Sequence, residues 1–214
     1  MADDALFDAS EEKTFLTGRP FREFADPAPL DKHGPATVLS MVNQKGGVGK
    51  TTSTINLGAC LAEQSRKVLL VDLDPQGALS AGLGVSHDEE QVTVYDLLFD
   101  NTTSIHGAIR HSNVSGLDLV PANIDLSAAE IQLVNEVGRE HTLARALRPV
   151  RNEYDIIIID CGPSLGLLTV NALACSQGVI IPMECEYFSL RGLALLTDTV
   201  EKVRDRINFD LDIV

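Results

Sequence analysis

A short glycine- and lysine-rich loop carries the clearest chemical signal: Lys45-Gly46-Gly47-Val48-Gly49-Lys50-Thr51-Thr52. Glycines allow backbone N–H groups to face inward around an anion. The Lys50 ammonium can neutralise phosphate oxygens, and the Thr51 hydroxyl can ligate Mg²⁺. The loop follows an apolar segment and opens a helical one, so a helix N-terminus adds a favourable dipole. These residues predict a loop that binds the phosphates of a nucleotide.

The loop departs from two common phosphate-binding patterns. The G-x-G-x-x-G pattern of dinucleotide sites needs a glycine where Thr52 stands, and G-x-x-x-x-G-K-[ST] needs one where Gln44 stands. The loop nevertheless keeps the chemistry of phosphate binding. It also adds a second lysine, Lys45, five residues before Lys50.

Three aspartates at the ends of apolar segments are candidate metal-binding and water-orienting groups. Asp72 and Asp74 come at the end of the segment 67–73, and strand alternation places them on the same side. Two carboxylates there could hold the water shell of a metal ion and orient an attacking water. Asp160 follows the apolar run 156–159, a pattern that supplies an outer-sphere Mg²⁺ ligand. Each feature alone is also typical of an ordinary strand end, but together with the loop they predict a nucleotide site.

Apolar segments that alternate with helical patterns must position these groups. Strands are predicted at 37–42, 67–73, 117–121, 154–160 and 178–182, with another beginning in 209–214. Helices are predicted at 56–64, 92–99, 104–111, 126–148 (with a break at Gly138), 165–175 and 190–207. The strand segments are continuously apolar, which favours burial on both faces of a parallel sheet. The pattern predicts an α/β fold with a doubly wound, mainly parallel sheet and helices on both faces.

The composition disfavours dedicated DNA-binding proteins, proteins that bind metals through cysteine and histidine, and secreted or membrane proteins. Seventeen basic against 31 acidic residues give a net charge of −14, which disfavours a dedicated DNA binder and suits a basic protein partner. The four cysteines and five histidines are scattered without metal-ligand spacing. The start lacks the basic region of a signal peptide, and no apolar stretch approaches the roughly 20 residues that span a bilayer. We expect a cytoplasmic protein without a membrane anchor.

The first part of the chain differs from the rest. Residues 1–36 contain eight acidic and four basic residues and no sustained apolar period, which predicts an acidic, flexible N-terminal tail. The alternating pattern begins at residue 37, so residues 37–214 are expected to form one nucleotide-binding domain.

The loop resembles the deviant Walker A motif, K-G-G-x-G-K-[ST], of the ParA/MinD family of P-loop ATPases. Residues 72–77 resemble the family's switch I, in which the residue matching Asp74 positions water and Asp72 would lie nearer the metal and Lys50. Residue 160 matches the Walker B aspartate. Residues 161–173 resemble switch II of the chromosomal ParA (Soj) branch, except at Gly162, where that branch usually has a larger residue. Segments 121–126 and 182–188 also resemble it, so the resemblance covers about 38–214.

The resemblance implies a slow, partner-stimulated ATPase with ATP and Mg²⁺ as cofactors. The chain would switch between a monomer and an ATP-sandwich dimer, and act with a ParB-like partner that offers a basic peptide in chromosome or plasmid partitioning. Lys45 would reach across the dimer into the partner's phosphates, as an arginine finger does. Asp74, Lys45 and Lys50 would be catalytic; residues 45–52 would hold the nucleotide. The Mg²⁺ ion would be held by Thr51, Asp74 and Asp160.

The resemblance also bears on DNA. Family members continue beyond the position of Val214 through more sheet, adenine contacts and DNA-binding arginines, so we expect this chain to be C-terminally short. The complete protein would then be nucleoid-associated through nonspecific DNA binding, whereas this chain would bind DNA weakly.

Other readings of the same motifs remain open. One is an amidoligase of the cobyrinic acid or dethiobiotin synthetase type, which phosphorylates a carboxylate; another is a different ParA/MinD-type positioning ATPase. The nitrogenase iron protein and the iron–sulfur scaffold ATPases need paired cysteines, and the scattered cysteines of this sequence argue against them. MinD needs a C-terminal amphipathic membrane helix and a different switch I, and neither is expected here. An interaction module with an inactive loop is disfavoured by the presence of Lys50, Thr51, Asp74 and Asp160.

Overall fold

Apolar segments of the chain form a central seven-stranded sheet. The computed structural model describes residues 27–28, 30–85, 91–100, 102–185 and 189–214. Its strands are β1 (Thr37–Met41), β2 (Val68–Leu73), β3 (Arg110–His111), β4 (Leu117–Val120), β5 (Ile156–Cys161), β6 (Gly178–Ile180) and β7 (Asp212–Ile213). Their order across the sheet is β3-β4-β2-β5-β1-β6-β7. Every neighbouring pair is parallel except β3 with β4.

The three central strands end at the same edge of the sheet. In the register of the ladder, Asp160 of β5 lies opposite Met41 of β1 on one side and Asp72 of β2 on the other. The carboxyl ends of parallel strands are where α/β sheets bind ligands. The phosphate loop after β1 and the aspartates of β2 and β5 therefore meet at this edge.

Helices cover both faces of the sheet. They are α1 (Lys50–Glu63), α2 (Ala78–Gly82), α3 (Val94–Phe99), α4 (Ile105–Ala108), α5 (Leu126–Leu133), α6 (Thr142–Leu147), α7 (Leu167–Cys175) and α8 (Ser189–Arg206). Leu69 and Leu70 are both fully buried, but Leu69 belongs to the core under α3 and α5–α8, and Leu70 to the core under α1 and α2. Successive residues of a strand point to opposite faces. The doubly wound α/β prediction is confirmed.

Most predicted elements are confirmed, and the differences have local causes. The predicted helix 104–111 was wrong at its end, because α4 stops at Ala108 and Arg110–His111 pairs antiparallel with β4. The predicted break in 126–148 is confirmed: Gly138 adopts φ +66°, which a glycine accommodates easily. The helix predicted from residue 56 begins earlier, at Lys50. The short helix α2 was not predicted.

The segment before β1 is fixed to the base of the sheet. The Asp155 carboxylate binds His33 Nδ1 at 2.7 Å and accepts hydrogen bonds from the backbone N–H groups of Gly34 at 3.0 Å and Lys67 at 2.8 Å. Ala36 is buried in the core. Most of the predicted acidic tail, residues 1–26, lies outside the described residues, so its flexibility stays a prediction.

Candidate functional site

The shape of the phosphate loop is fixed by the Asn43 side chain and by two glycines. Asn43 anchors its start, since its Nδ2 donates to the Pro182 carbonyl at 2.7 Å and its Oδ1 accepts from the Lys45 N–H at 2.9 Å. Gly47 and Gly49 adopt φ +79° and +87°, a left-handed conformation that other residues rarely adopt. A Cβ atom built on Gly47 would meet nothing within 4 Å, so this side of the loop borders open space. The loop is therefore a cradle with room for an anion.

Lys50 places its ammonium group over this cradle. It is the first residue of α1 and is only 7% exposed, and its Nζ donates to the Lys45 carbonyl at 3.2 Å. Thr51, the next residue, is half-buried, whereas Thr52 is exposed and Val48 half-buried. The first N–H groups of an α-helix have no intrahelical partners and favour an anion. A buried cation and a helix N-terminus thus converge on the loop.

Asp160 has a carboxylate oxygen that lacks a partner. The residue is 1% exposed, and its Oδ1 accepts from Thr54 Oγ1 at 3.4 Å, whereas its Oδ2 is buried with no hydrogen bond within the described residues. Burial is the main cause that raises the pKa of Asp160 to about 6; the charges of Asp72 and Asp74 raise it further, while the Thr51 hydroxyl and Lys50 lower it.

An orphaned buried carboxylate oxygen beside a threonine hydroxyl fits a hydrated Mg²⁺ ion. Magnesium keeps several waters and binds through one or two carboxylates together with substrate phosphates. Asp160 and Thr51 supply those oxygens next to the phosphate cradle. In the described ranges, no three His, Cys, Asp or Glu side chains form a metal site by themselves. The residues therefore fit a magnesium ion that phosphates help to hold.

Asp72 lies opposite Asp160 in the sheet, and its carboxylate accepts hydrogen bonds from α2; its place nearer the metal stays a prediction. Its Oδ2 accepts from Ser80 N at 2.9 Å and Ser80 Oγ at 2.7 Å, and its Oδ1 from Asp74 N at 3.2 Å. Burial is the main cause that raises its pKa. Ser80 Oγ also accepts from the Ala122 N–H at 3.3 Å. Ser80 was not predicted from the sequence, because nothing marks a serine six residues after Asp74 as a partner of Asp72.

Asp74, within switch I, faces the loop that follows β5. Its Oδ1 accepts from the Gln76 N–H at 3.0 Å, which fixes the direction of the half-buried carboxylate. A Cβ atom on Gly162 would lie 3.4 Å from Asp74 Cγ, so the loop after β5 passes directly against this carboxylate. A side chain longer than Cβ at position 162 would reach Asp74. The unusual Gly162 thus leaves space around the carboxylate that the resemblance assigns to water positioning.

Lys45 forms an ion pair within the same chain. Its Nζ lies 2.6 Å from Glu184 Oε2, and both side chains are 45% exposed. Glu184 belongs to the segment after β6 that also receives the Asn43 hydrogen bond at Pro182. This contact of Glu184 was not predicted from the sequence, although segment 182–188 resembles the family. Residues 186–188 of that segment lie outside the described residues.

Comparisons with known proteins identify the family. A family profile described as an AAA domain matches residues 36–213. An uncharacterized protein of Mycobacterium tuberculosis is 70% identical over 198 residues, which cover 92% of this chain and 62% of that protein. The chromosome-partitioning ATPase Soj of Treponema pallidum is 52% identical over 175 residues, 82% of this chain and 68% of that protein. The chain belongs to the ParA/MinD family.

Within the ParA/MinD family the chain falls in the chromosomal partitioning branch, as the loop and switch motifs predicted. It spans 62% of the length of the mycobacterial relative. A solved structure titled cobyrinic acid a,c-diamide synthase from Mycobacterium smegmatis, with bound ATP analog and magnesium, matches with a TM-score of 0.79 and 44% identity, covering 83% of this chain and 72% of that chain. The match confirms the fold. Among the described residues, no helix has the length and apolar character needed to cross a membrane.

Proposed function

We propose that this chain is the nucleotide-binding part of a Mg²⁺-dependent partitioning ATPase. One observation carries the proposal: the buried Asp160 oxygen without a partner lies at the same sheet edge as Thr51 and the Lys50 ammonium. The relatives named for chromosome partitioning support the biological role. The ATP analog and magnesium in the mycobacterial structure support the choice of ligand.

Each residue of the site has a distinct proposed role. Lys50 and the N–H groups of residues 46–51 would hold the phosphates, and Thr51 and Asp160 would hold magnesium through their oxygens. The bound ion would neutralise charge on the phosphates. Asp74, oriented by the Gln76 N–H, would hold the attacking water and contribute to the water shell of the metal. Asp72 would act as a positioning residue, because its hydrogen bonds to Ser80 and Asp74 fix switch I.

Lys45 is proposed to act across an ATP-sandwich dimer. A cation supplied by the other subunit would stabilise charge on the transferring phosphoryl group. In the single chain Lys45 lies against Glu184, so it must leave that carboxylate to reach a partner. Ion pairs this exposed contribute about 0.2–1 kcal/mol, so the exchange costs little.

A basic peptide from a ParB-like protein is the proposed activating partner. The net charge of −14 favours a cationic ligand, although acidity also serves solubility. Duplex DNA would bind weakly to these residues, because α8 alternates acidic and basic side chains and Lys202 is paired with Asp198 at 2.6 Å. Association with the nucleoid is proposed for the complete protein.

An amidoligase is the second candidate, because the matched mycobacterial structure carries that title. Such an enzyme needs a pocket for a carboxylate substrate beside the nucleotide. The cavity next to the switch loops, here called the switch groove, measures about 240 Å³ and is lined mostly by apolar residues: Leu73, Pro75, Leu126, Pro163 and Leu168. Its lining also includes the Glu130 side chain, an acid that would repel a carboxylate substrate. We therefore favour the partitioning ATPase.

Phosphate release from Mg-ATP tests the proposal. The wild-type chain should hydrolyse ATP slowly without any carboxylate acceptor, and Asp74→Ala should lose turnover while it still binds ATP. Asp198→Ala is the matched control, because this exposed aspartate lies on α8, outside the proposed site. Turnover that requires an added carboxylic acid and an ammonia donor would favour the amidoligase. Full turnover in Asp74→Ala would contradict the assigned role of Asp74.

A further inference from the structure

The segment 124–137, which contains helix α5, carries four exposed apolar side chains. Ile124, Ile131, Val134 and Val137 are 67%, 76%, 53% and 92% exposed, and are four of the ten large apolar side chains that are exposed in the described residues. Ile131 and Val134 are separated by three positions, the spacing of one helix face. Ile131 lies in α5, Val134 follows it directly with helical backbone angles, and Ile124 and Val137 lie in the turns on either side. We call these four residues the α5 face.

The opposite side of the same helix packs into the core. Leu126, Ala129 and Leu133 are fully buried. Ile131 and Val134 lie outside that core, on a side that also exposes the polar Ser127 and Gln132. A surface helix of a globular protein normally presents polar residues to water, and clustered exposed apolar side chains mark interaction sites.

Helix α5 adjoins the switch loops. Leu126, Ser127 and Glu130 of α5 form one wall of the switch groove, and Pro75 and the loop after β5 form the other. Ser164 Oγ donates to Glu130 Oε1 at 3.3 Å. The Glu130 carboxylate also fills the space that a side chain at Gly166 would need, beside the N-terminus of α7. A ligand that draws Glu130 away would therefore disturb switch II, whose Gly162 lies against Asp74.

Charge identifies the kind of partner that fits. Residues 112–138 contain no lysine, arginine or histidine, and Asp125, Glu130 and Glu136 lie within or next to the α5 face. Arg139, beyond the end of the helix, is paired with Glu140 at 3.0 Å. A second copy docked about a two-fold axis would bring two such acidic patches together, which is unfavourable. A segment that bears both apolar and cationic side chains complements the surface.

We propose that the α5 face and the switch groove form the docking surface for a basic, apolar segment of the partner protein, and that docking acts on switch II through Glu130. This inference rests on the proposed function, since a nucleotide cycle is what switch II would control. Apolar side chains of the segment cover Ile131 and Val134, and a lysine or arginine pairs with Glu130. Glu130 is a positioning residue in this scheme, because it acts on Asp74 only through switch II.

Calorimetry with designed peptides tests the docking surface. The probe is a 16-residue peptide with leucines along one helical face and lysines on the remaining positions; one matched peptide has serine for leucine, and another has glutamine for lysine. The leucine–lysine peptide should bind the wild-type chain, and Ile131→Ser should weaken binding about tenfold, because one large apolar contact is lost. Phe209→Ser is the control, since Phe209 is 78% exposed and lies in another part of the chain.

The role of Glu130 needs a second readout. Glu130→Gln keeps the shape of the side chain, and should weaken peptide binding and abolish the stimulation of phosphate release by the peptide. Glu201→Gln, an exposed acid on α8, should change neither. A peptide effect on turnover that persists in Glu130→Gln would overturn the coupling to switch II.

Three results would overturn the docking surface itself: equal affinity for Ile131→Ser and the wild type, equal binding of the leucine and serine peptides, or a wild-type self-association that Ile131→Ser abolishes. The last result would assign the face to a second copy. Failure of the proposed function is distinguishable, because a chain that binds the peptide but neither binds nor hydrolyses ATP would refute the ATPase and leave the surface intact.

Discussion

Replacing the buried Asp160 by asparagine should stabilise the protein in the absence of magnesium and nucleotide. Burial raises the pKa of this carboxyl from its ordinary 3.8 to about 6. The folded state therefore binds more protons than the unfolded state between about pH 4 and 6, and the stability contribution of the group falls as the pH rises through that window. Above pH 6 the charged, buried carboxylate lowers the free energy of unfolding by about 3 kcal/mol. The asparagine removes this cost but leaves an unpaired amide donor, which destabilises the folded state by about 1 kcal/mol. The free energy of unfolding should therefore rise by about 2 kcal/mol in total.

Urea unfolding in EDTA at pH 5 and pH 7.5 measures this effect. The free energy of unfolding of Asp160→Asn should exceed that of the wild type at pH 7.5, and the difference should be about 1.4 kcal/mol smaller at pH 5. Asp198→Asn, on the exposed surface of α8, should show no such pH-dependent gain. Adding Mg-ATP should stabilise the wild type more than Asp160→Asn. A variant that is less stable than the wild type at pH 7.5, or a gain that does not depend on pH, would refute the reasoning.

Two further predictions concern assembly and DNA. By light scattering with ATP, Asp74→Ala should form a dimer that Asp74→Ala, Lys45→Ala does not, because the trans cation is lost; a dimer of unchanged affinity in the double variant would contradict that role. In gel-shift titrations at fixed salt, the 214-residue chain should bind duplex DNA weakly even with ATP, because its few cations are offset by acids. Tight ATP-dependent binding would place a DNA surface within these residues.

The sheet was predictable because its signal is local. Segments such as 68–73 and 156–161 are so continuously apolar that only burial on both faces accommodates them. The edge strand Arg110–His111 was not predictable, since two polar residues carry no periodicity and the strand exists only because β4 offers a free edge. The left-handed Gly138 shows the intermediate case, in which a single glycine predicted the break but not the lengths of the helices on either side.

The residue types of the candidate site were also predictable, but its pairings were not. The loop lysines, Thr51 and the strand-end aspartates follow from chemistry and spacing. The contact of Lys45 with Glu184 joins residues 139 positions apart, and it depends on β6 lying beside β1. The hydrogen bonds of Ser80 to Asp72 depend on how α2 turns back over β2. Such contacts are set by packing between elements, which no periodicity of a single segment encodes.

Calorimetric titration of Mg-ATP into the wild-type chain and Lys50→Ala tests the central claim most directly. The wild type should bind one nucleotide per chain. Lys50→Ala should show no detectable binding, because Lys50 is the buried cation whose ammonium lies over the phosphate cradle. Lys202→Ala, which removes an exposed lysine of α8, should bind as the wild type does. Equal affinity of Lys50→Ala and the wild type for Mg-ATP would contradict the assignment of this loop as the nucleotide site.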